Sequence, residues 1–300
     1  MLSILIPTYN YDCTCLVGEL QCQAEQACID YEIIVADDAS PIPLYKEKNR
    51  EINSLPHCRF IELEENRGRA RIRNLLANEA QHEWLLFMDA DAKVITPSFI
   101  ADYLNAITER AEVICGGLCH ANTLPSPTVS LRYAYEKHAD KRRAARYRAE
   151  HPYERFTPFN FLIRRATFQA IRFDESITEY GHEDTLFGIE LQYREVPLLH
   201  IDNPLQHMGL EANEVFLRKT RTALRNLSSM ESTMQGYSSL ISAYQWLCRL
   251  HLSKPLSYLY SLCEAALTAH LCSAHPMLSI FFIYKLGYYC QLKHKIDSIN

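Results

Sequence analysis

Between residues 2 and about 117 the chain alternates short apolar runs with segments of helical length. That rhythm restricts it to α/β folds built on a parallel sheet. The runs at 3–8, 32–36, 59–63, 83–88 and 112–116 are near-continuously apolar, as strands covered on both faces should be. Helices are expected over 15–28, 44–53, 69–80 and 97–110. Such sheets bind ligands at the carboxyl ends of their strands, so the polar residues that end these runs are the first candidates for chemistry.

Beyond residue 125 the alternation fades. A basic helical stretch spans 130–148, a further strand is expected at 159–163, a second polar cluster occupies 181–209, and from 211 onward the chain reads as helices. With 300 residues, 48% of them hydrophobic and 22% charged, the chain can bury a substantial core. A formal net charge of -5 gives no global attraction to nucleic acid, which is not expected as a partner. The 11 cysteines are odd in number and contain no CxxC pair, so they are read as reduced thiols rather than as a disulfide frame or a zinc site. Residues 1–7 lack a basic n-region and a small-residue cleavage site and are read as a strand, with the cytoplasm as the expected compartment.

Polar groups converge at strand ends. The first strand finishes in Pro7-Thr8-Tyr9-Asn10 and the second in Asp37-Asp38-Ala39-Ser40. Neither GxGxxG nor GxxxxGK[ST] occurs, which argues against a dinucleotide fold and a P-loop. Trp84 to Met88 is an apolar strand that ends in Asp89-Ala90-Asp91. Hard divalent cations take oxygen ligands and bridge protein carboxylates to diphosphates, and alternation along a strand lets Asp89 and Asp91 face the same way. A pair of exposed loop-capping aspartates is the plainer alternative. Ahead of this strand, Asn66-Arg67-Gly68-Arg69-Ala70-Arg71-Ile72-Arg73-Asn74 brings backbone N–H groups and guanidinium groups suited to a diphosphate to the same edge. Of these, Arg67 and Arg71 are read as solvated.

Taken in order, SILIPTYN, EIIVADDAS, ENRGRARIRN, WLLFMDADA and GHEDTLFG, covering about residues 1–209, resemble family 2 glycosyltransferases. The resemblance implies the α/β GT-A fold, with a mostly parallel central sheet. It implies a catalytic domain over 1–210, divided into a nucleotide-sugar half (1–120) and an acceptor-side half (121–210), and a helical extension over 211–300. The implied activity is transfer of a sugar from a nucleoside-diphosphate donor, UDP by default, to a hydroxyl of a glycan or lipid-linked acceptor. It would proceed with inversion, in cell-surface polysaccharide or glycan synthesis. By the same resemblance Pro7, Thr8, Tyr9, Asp37, Asp38, Asn66, Gly68, Arg73, Asp89, Ala90 and Asp91 line the donor site. Asn160 either touches the donor sugar or caps buried backbone. Mn2+ or Mg2+ would be held by Asp91 with Asp89; His207 is either a third ligand or a structural histidine. Glu183 and Asp184 match the family's acidic pair, with Asp184 the better base. Ala39 and Ile72 replace a glycine and a small residue usual in the family, and the QxxRW signature of polysaccharide-exporting synthases is absent.

The apolar stretch 277–290 is interrupted by Lys285 and is too short to span a bilayer. With Lys293, His294 and Lys295 it would either lie on the anionic inner face of the plasma membrane or pack on the catalytic domain or a second subunit, making a homodimer. Two rival functions remain. A sugar-nucleotide nucleotidyltransferase should carry a glycine-rich GxGxR-type loop after the first strand, and a noncatalytic carbohydrate-binding protein would not need both acidic motifs.

Overall fold

The computed structural model describes residues 1–177 and 181–297. Among the described residues ten strands form two sheets: β1 (Leu2–Thr8), β2 (Tyr31–Asp37), β3 (Cys58–Glu62), β4 (Trp84–Met88), β5 (Ala92–Lys93), β6 (Val113–Cys115), β7 (Leu118–Cys119), β8 (Asn160–Arg164), β9 (Leu198–His200) and β10 (Leu205–His207). The main sheet runs β3-β2-β1-β4-β8-β6-β9, and a small sheet runs β5-β10-β7. Strands β3, β2, β1 and β4 are mutually parallel, and β9 is parallel to β6. The late strand β8 enters antiparallel between β4 and β6.

Side chains alternate across β1, β2 and β4, and the two faces are covered by different helices. Ile4, Ile6, Val35, Leu86 and Met88 pack with Leu16, Val17 and Leu20 of the helix Thr14–Gln26 and with Phe99, Ile100 and Tyr103 of the helix Phe99–Ala106. Leu5, Ile34, Leu85 and Phe87 face Ile72 and Leu76 of the helix Arg69–Glu79 together with Phe161, Phe168, Phe173 and Phe187. On that face Phe87 stacks on Phe161 and Phe168 at centroid distances of 5.0 and 4.9 Å, and Phe173 on Phe187 at 4.4 Å. The segment expected as one helix over 44–53 is an α-helix, Pro43–Asn49, tightened into a 3-10 turn, Arg50–Ser54.

By its internal contacts the chain divides into two units. The first comprises Met1–Ala121, the segment beginning at Asp140, and Glu183–Gly209; the second comprises Asn122–Ala139 and the chain from Leu210, joined by a short stretch at Gly181 and His182. The helix Ser130–Asp140, expected in the acceptor-side half, lies in the second unit as far as Ala139 and is bound there to the C-terminal helices. Asn213 Oδ1 accepts from the Leu131 N–H at 2.8 Å while its Nδ2 donates to Ser130 Oγ at 3.0 Å. The long C-terminal helices are Asn213–Ser229, Ser239–Arg249, Ser253–Leu271 and Leu278–Asp297. In the last of these Phe281, Tyr284, Tyr288, Tyr289 and Cys290 are buried, so much of its apolar surface is used in packing. No helix among the described residues is long and apolar enough to cross a membrane. The eleven cysteines are all free thiols.

The basic stretch 130–148 is not one solvated helix. It breaks after Asp140, and the short helix Ala145–Arg148 carries Arg148 inward. There the guanidinium donates to the carbonyls of Arg143, Cys115, Gly116 and Ile201 at 2.7–3.1 Å and to His200 Nδ1 at 2.7 Å. Because Nδ1 accepts from a permanent cation, His200 must carry its proton on Nε2, which donates to the Pro152 carbonyl at 2.9 Å. Burial, with the Arg148 charge adding to it, pushes His200 down to about 4. The sign follows from linkage: the unfolded chain binds this proton near pH 6.5 and the folded chain does not. The stability that neutral His200 provides is complete above pH 6.5 and is lost as pH falls toward about 4. Thermal melts from pH 7 to 4 should show this slope, and His200→Gln should flatten it.

Candidate functional site

At the carboxyl end of β1 and β2 the backbone is drawn together by Asp38 N–H donating to the Thr8 carbonyl at 2.9 Å. Pairing of β1 with β4 stops at Leu5, so Pro7, which has no N–H to give, lies past the region where β1 is paired on both sides. The Thr8 hydroxyl donates to the Tyr11 carbonyl, whereas the Tyr9 ring stands exposed. Asp37 is buried and closes its own turn, accepting from the Ser40 N–H at 2.8 Å and from the Ser40 hydroxyl. The Asp38 carboxylate is cradled by the backbone N–H groups of Arg67 and Gly68 at 2.7 and 2.9 Å, and Asn66 Nδ2 donates to the Asp38 carbonyl. Gly68 adopts φ 83°, which leads the chain into the helix Arg69–Glu79. Asp37, Asp38, Asn66 and Gly68 thus form one hydrogen-bonded rim.

Within that rim Ala39 sits at φ 58°, the left-handed region where glycine is at ease. A side chain there costs about 1–2 kcal/mol, more than the extra chain entropy of about 0.4–1 kcal/mol that glycine would bring. Ala39→Gly should therefore stabilise the protein by about 0.5–1 kcal/mol, seen as a rise of about 1–4 °C in Tm.

Beyond β4 the two acids of the Asp-Ala-Asp segment part company. Asp89 Oδ1 accepts from Arg73 Nη2 at 2.6 Å, and that guanidinium is almost wholly buried. Asp91 instead meets His207, with Oδ2 3.1 Å from Nε2. The small sheet makes this meeting: β10 runs antiparallel to β5, pairing His207 with Ala92, and the Met208 N–H donates to the Asp91 carbonyl at 2.8 Å. Ala90, between the two acids, is buried. Burial opposes ionisation of Asp91, but the hydrogen bond and charge of His207, with Arg69 adding to them, hold its carboxyl below the usual carboxylate range.

These residues fit a divalent cation. Two donors each about 2.1 Å from one ion at a right angle stand about 3 Å apart, which the carboxylate oxygen and imidazole nitrogen already do. Gly209 fits the same purpose, since a Cβ there would lie 1.9 Å from Asp91 Oδ2. The His207 ring is held edge-on by Phe159 and His120 at centroid distances of 5.4 and 5.8 Å, and His120 Nδ1 pairs with Asp140 Oδ1 at 3.0 Å.

Glu183 and Asp184 begin the helix Glu183–Tyr193, where acids are favoured by the helix dipole. Asp184 Oδ1 accepts from the Thr185 N–H at 2.7 Å, fixing the carboxylate on the first turn. Glu183 is buried, 3.6 Å from Arg69 Nη1. Because Arg69 also acts on Asp91, it ties the two acidic motifs into one electrostatic unit.

Arg69, Tyr11 and Gly209 join the site without having been singled out. Tyr11 packs against the core cluster that contains Ala90 and Ala92, on either side of Asp91, and burial and then the Asp91 charge push its phenol up. Arg69 lay among the arginines of the segment Asn66 to Asn74, and a glycine two residues past the candidate histidine was the available signal for Gly209. Asn160 is 0% exposed: its Oδ1 accepts from Tyr103 at 2.7 Å and its Nδ2 donates to the carbonyls of Gly117 and Asn203, each at 2.9 Å. Its amide is therefore committed to backbone capping, and Arg73 reaches the site through Asp89. Arg71 is exposed, 3.7 Å from Glu175.

The sequence model described as Glycosyl transferase family 2 matches residues 3–172. Among curated proteins, chondroitin synthase from Escherichia coli is 28% identical over a match covering 65% of this chain and 32% of the relative. The chain thus spans about a third of that relative's length. Among solved structures, the mannosyltransferase PcManGT from Pyrobaculum calidifontis, in complex with GDP-Man and Mn2+, superposes with a TM-score of 0.58 at 14% identity, covering 98% of this chain and 86% of that one. TarS from S. aureus gives a TM-score of 0.50 at 19% identity, covering 76% of this chain and 39% of that one. These likenesses show a shared GT-A fold.

Proposed function

This chain belongs to glycosyl transferase family 2, and from that membership we propose that it moves a sugar from a nucleoside-diphosphate donor to an acceptor hydroxyl, by a metal-assisted, inverting displacement. The observation that carries the reading is the pairing of Asp91 with His207 after β4, 3.1 Å apart, at the same carboxyl edge of the parallel strands as Asp37 and Asp38. Residues 1–210 are read as the catalytic domain and 211–300 as its helical extension. A glycan or lipid-linked acceptor in cell-surface polysaccharide synthesis is the substrate class suggested by a relative named chondroitin synthase.

In this mechanism the exposed Tyr9 ring offers a face for the base, and the rim of Asp38, Asn66 and Gly68 borders the nucleoside. Asp89, oriented by Arg73, addresses the ribose. Asp91 and His207 would hold Mn2+ or Mg2+, which when bound would neutralise charge developing on the departing diphosphate. Asp184 takes the proton of the acceptor hydroxyl as its oxygen bonds to the anomeric carbon and the bond from that carbon to the diphosphate oxygen breaks. Glu183, paired with Arg69, keeps a second negative charge compensated next to the base.

The test is incubation with nucleoside-diphosphate sugars and Mn2+, following nucleoside diphosphate release and product anomeric configuration by NMR. Release with an inverted product is expected. A product retaining the donor configuration contradicts the single displacement, and a chain that releases nothing from any donor is a binding protein instead.

A further inference from the structure

The second unit carries an exposed apolar corner that packing within that unit does not use. Where the helix Ser239–Arg249 turns into Ser253–Leu271, Trp246 is 59% exposed, Tyr258 69% and Leu262 65%, with Leu250, Leu252 and Leu259 also exposed. Between them stand the exposed cations Arg249 and Lys254. No aspartate or glutamate occurs from residue 232 to 263, and the flanking acids are taken: Glu264 by Arg221 at 2.5 Å, Glu231 by Lys293 at 2.8 Å.

We propose that this corner, Trp246 to Leu262, is a docking surface for an anionic lipid bilayer. Trp and Tyr favour the headgroup boundary, where the ring is apolar and the N–H or O–H stays wet. Leucines at a helix corner reach the acyl layer, and cations between them meet lipid phosphates. A second copy of the chain matches the corner less well, because a self-complementary contact would bring two sets of Arg249 and Lys254 together with no acid between 232 and 263 to pair them. The terminal helix is the weaker membrane contact: Lys293 is paired with Glu231, and Lys285 lies over the rings of Tyr135, Phe281 and Phe282.

Trp246 is also the reporter, since the other tryptophan, Trp84, is 3% exposed in the sheet. The full chain should co-sediment with phosphatidylglycerol vesicles and not with phosphatidylcholine, and Trp246 emission should shift to the blue as it does. With each cation worth about fivefold in partitioning, Arg249→Glu with Lys254→Glu should weaken binding at least about 25-fold. Leu250→Glu with Leu252→Glu should weaken it more than about 100-fold, at more than about tenfold per leucine withdrawn from lipid. Ile283→Glu, on the exposed side of the terminal helix, should bind as the wild type does. Unchanged Trp246 emission on anionic vesicles, or corner variants that sediment like the wild type, overturns the proposal. So does a dimer that the leucine variants dissociate in protein that never sediments. None of these readouts involves donor turnover, so failure here is separable from failure of the transferase reading.

Discussion

Asp184→Asn should lower sugar transfer by about 100- to 10,000-fold while changing donor affinity little, because general-base assistance is worth that much and acts chiefly in the transition state. The amide keeps the shape of the side chain and its Oδ1 can still accept from the Thr185 N–H, so the helix start should survive. Steady-state kinetics with a fixed acceptor, read beside donor binding by calorimetry, separates the outcomes. Near-normal turnover removes Asp184 as base, and equal loss of donor binding moves it into the nucleotide or metal site. Glu183→Gln should affect both parameters more evenly, since it removes the partner of Arg69 and thereby alters the field at Asp91.

Gly209→Ala should weaken Mn2+ binding by about 10- to 100-fold, the range seen when groups around a metal ligand are disturbed. A Cβ 1.9 Å from Asp91 Oδ2 and 2.7 Å from its Cγ cannot be accommodated without turning the carboxylate away from His207. Asp91→Asn should cost more, because a neutral amide is a poorer ligand for a hard cation. Mn2+ titration followed by electron paramagnetic resonance, without any donor, measures both directly. Wild-type affinity in Gly209→Ala would mean the ion sits elsewhere.

The central sheet was legible because strands β1, β2 and β4 are covered on both faces and so spell unbroken apolar runs. The reversal of β8 was not, since Phe161, Leu162 and Ile163 read alike in either direction and only pairing with β4 and β6 decides it. In the site, acids at strand ends announced themselves by position. The convergence of His207 on Asp91 could be expected only through the family resemblance, because β5 and β10 span two and three residues, too few to show a period. Arg148 was hidden for another reason: most of its partners are backbone carbonyls at a strand end and in loops, which leave no mark in the identity of their residues.

The ladder between β5 and β10 brings His207 to Asp91 across 116 positions of sequence, which has a consequence during synthesis. Closing so large a loop is slow relative to local helix formation, and a chain made from its N-terminus exposes Asp91 well before His207 exists. A nascent chain halted before residue 205 can hold the rim around Asp37 and Asp38 but lacks β10, the strand whose pairing with β5 aligns Asp91. Competence for the metal is thereby deferred until β10 has been made, so products truncated before it should be inert toward the donor rather than leaky hydrolases.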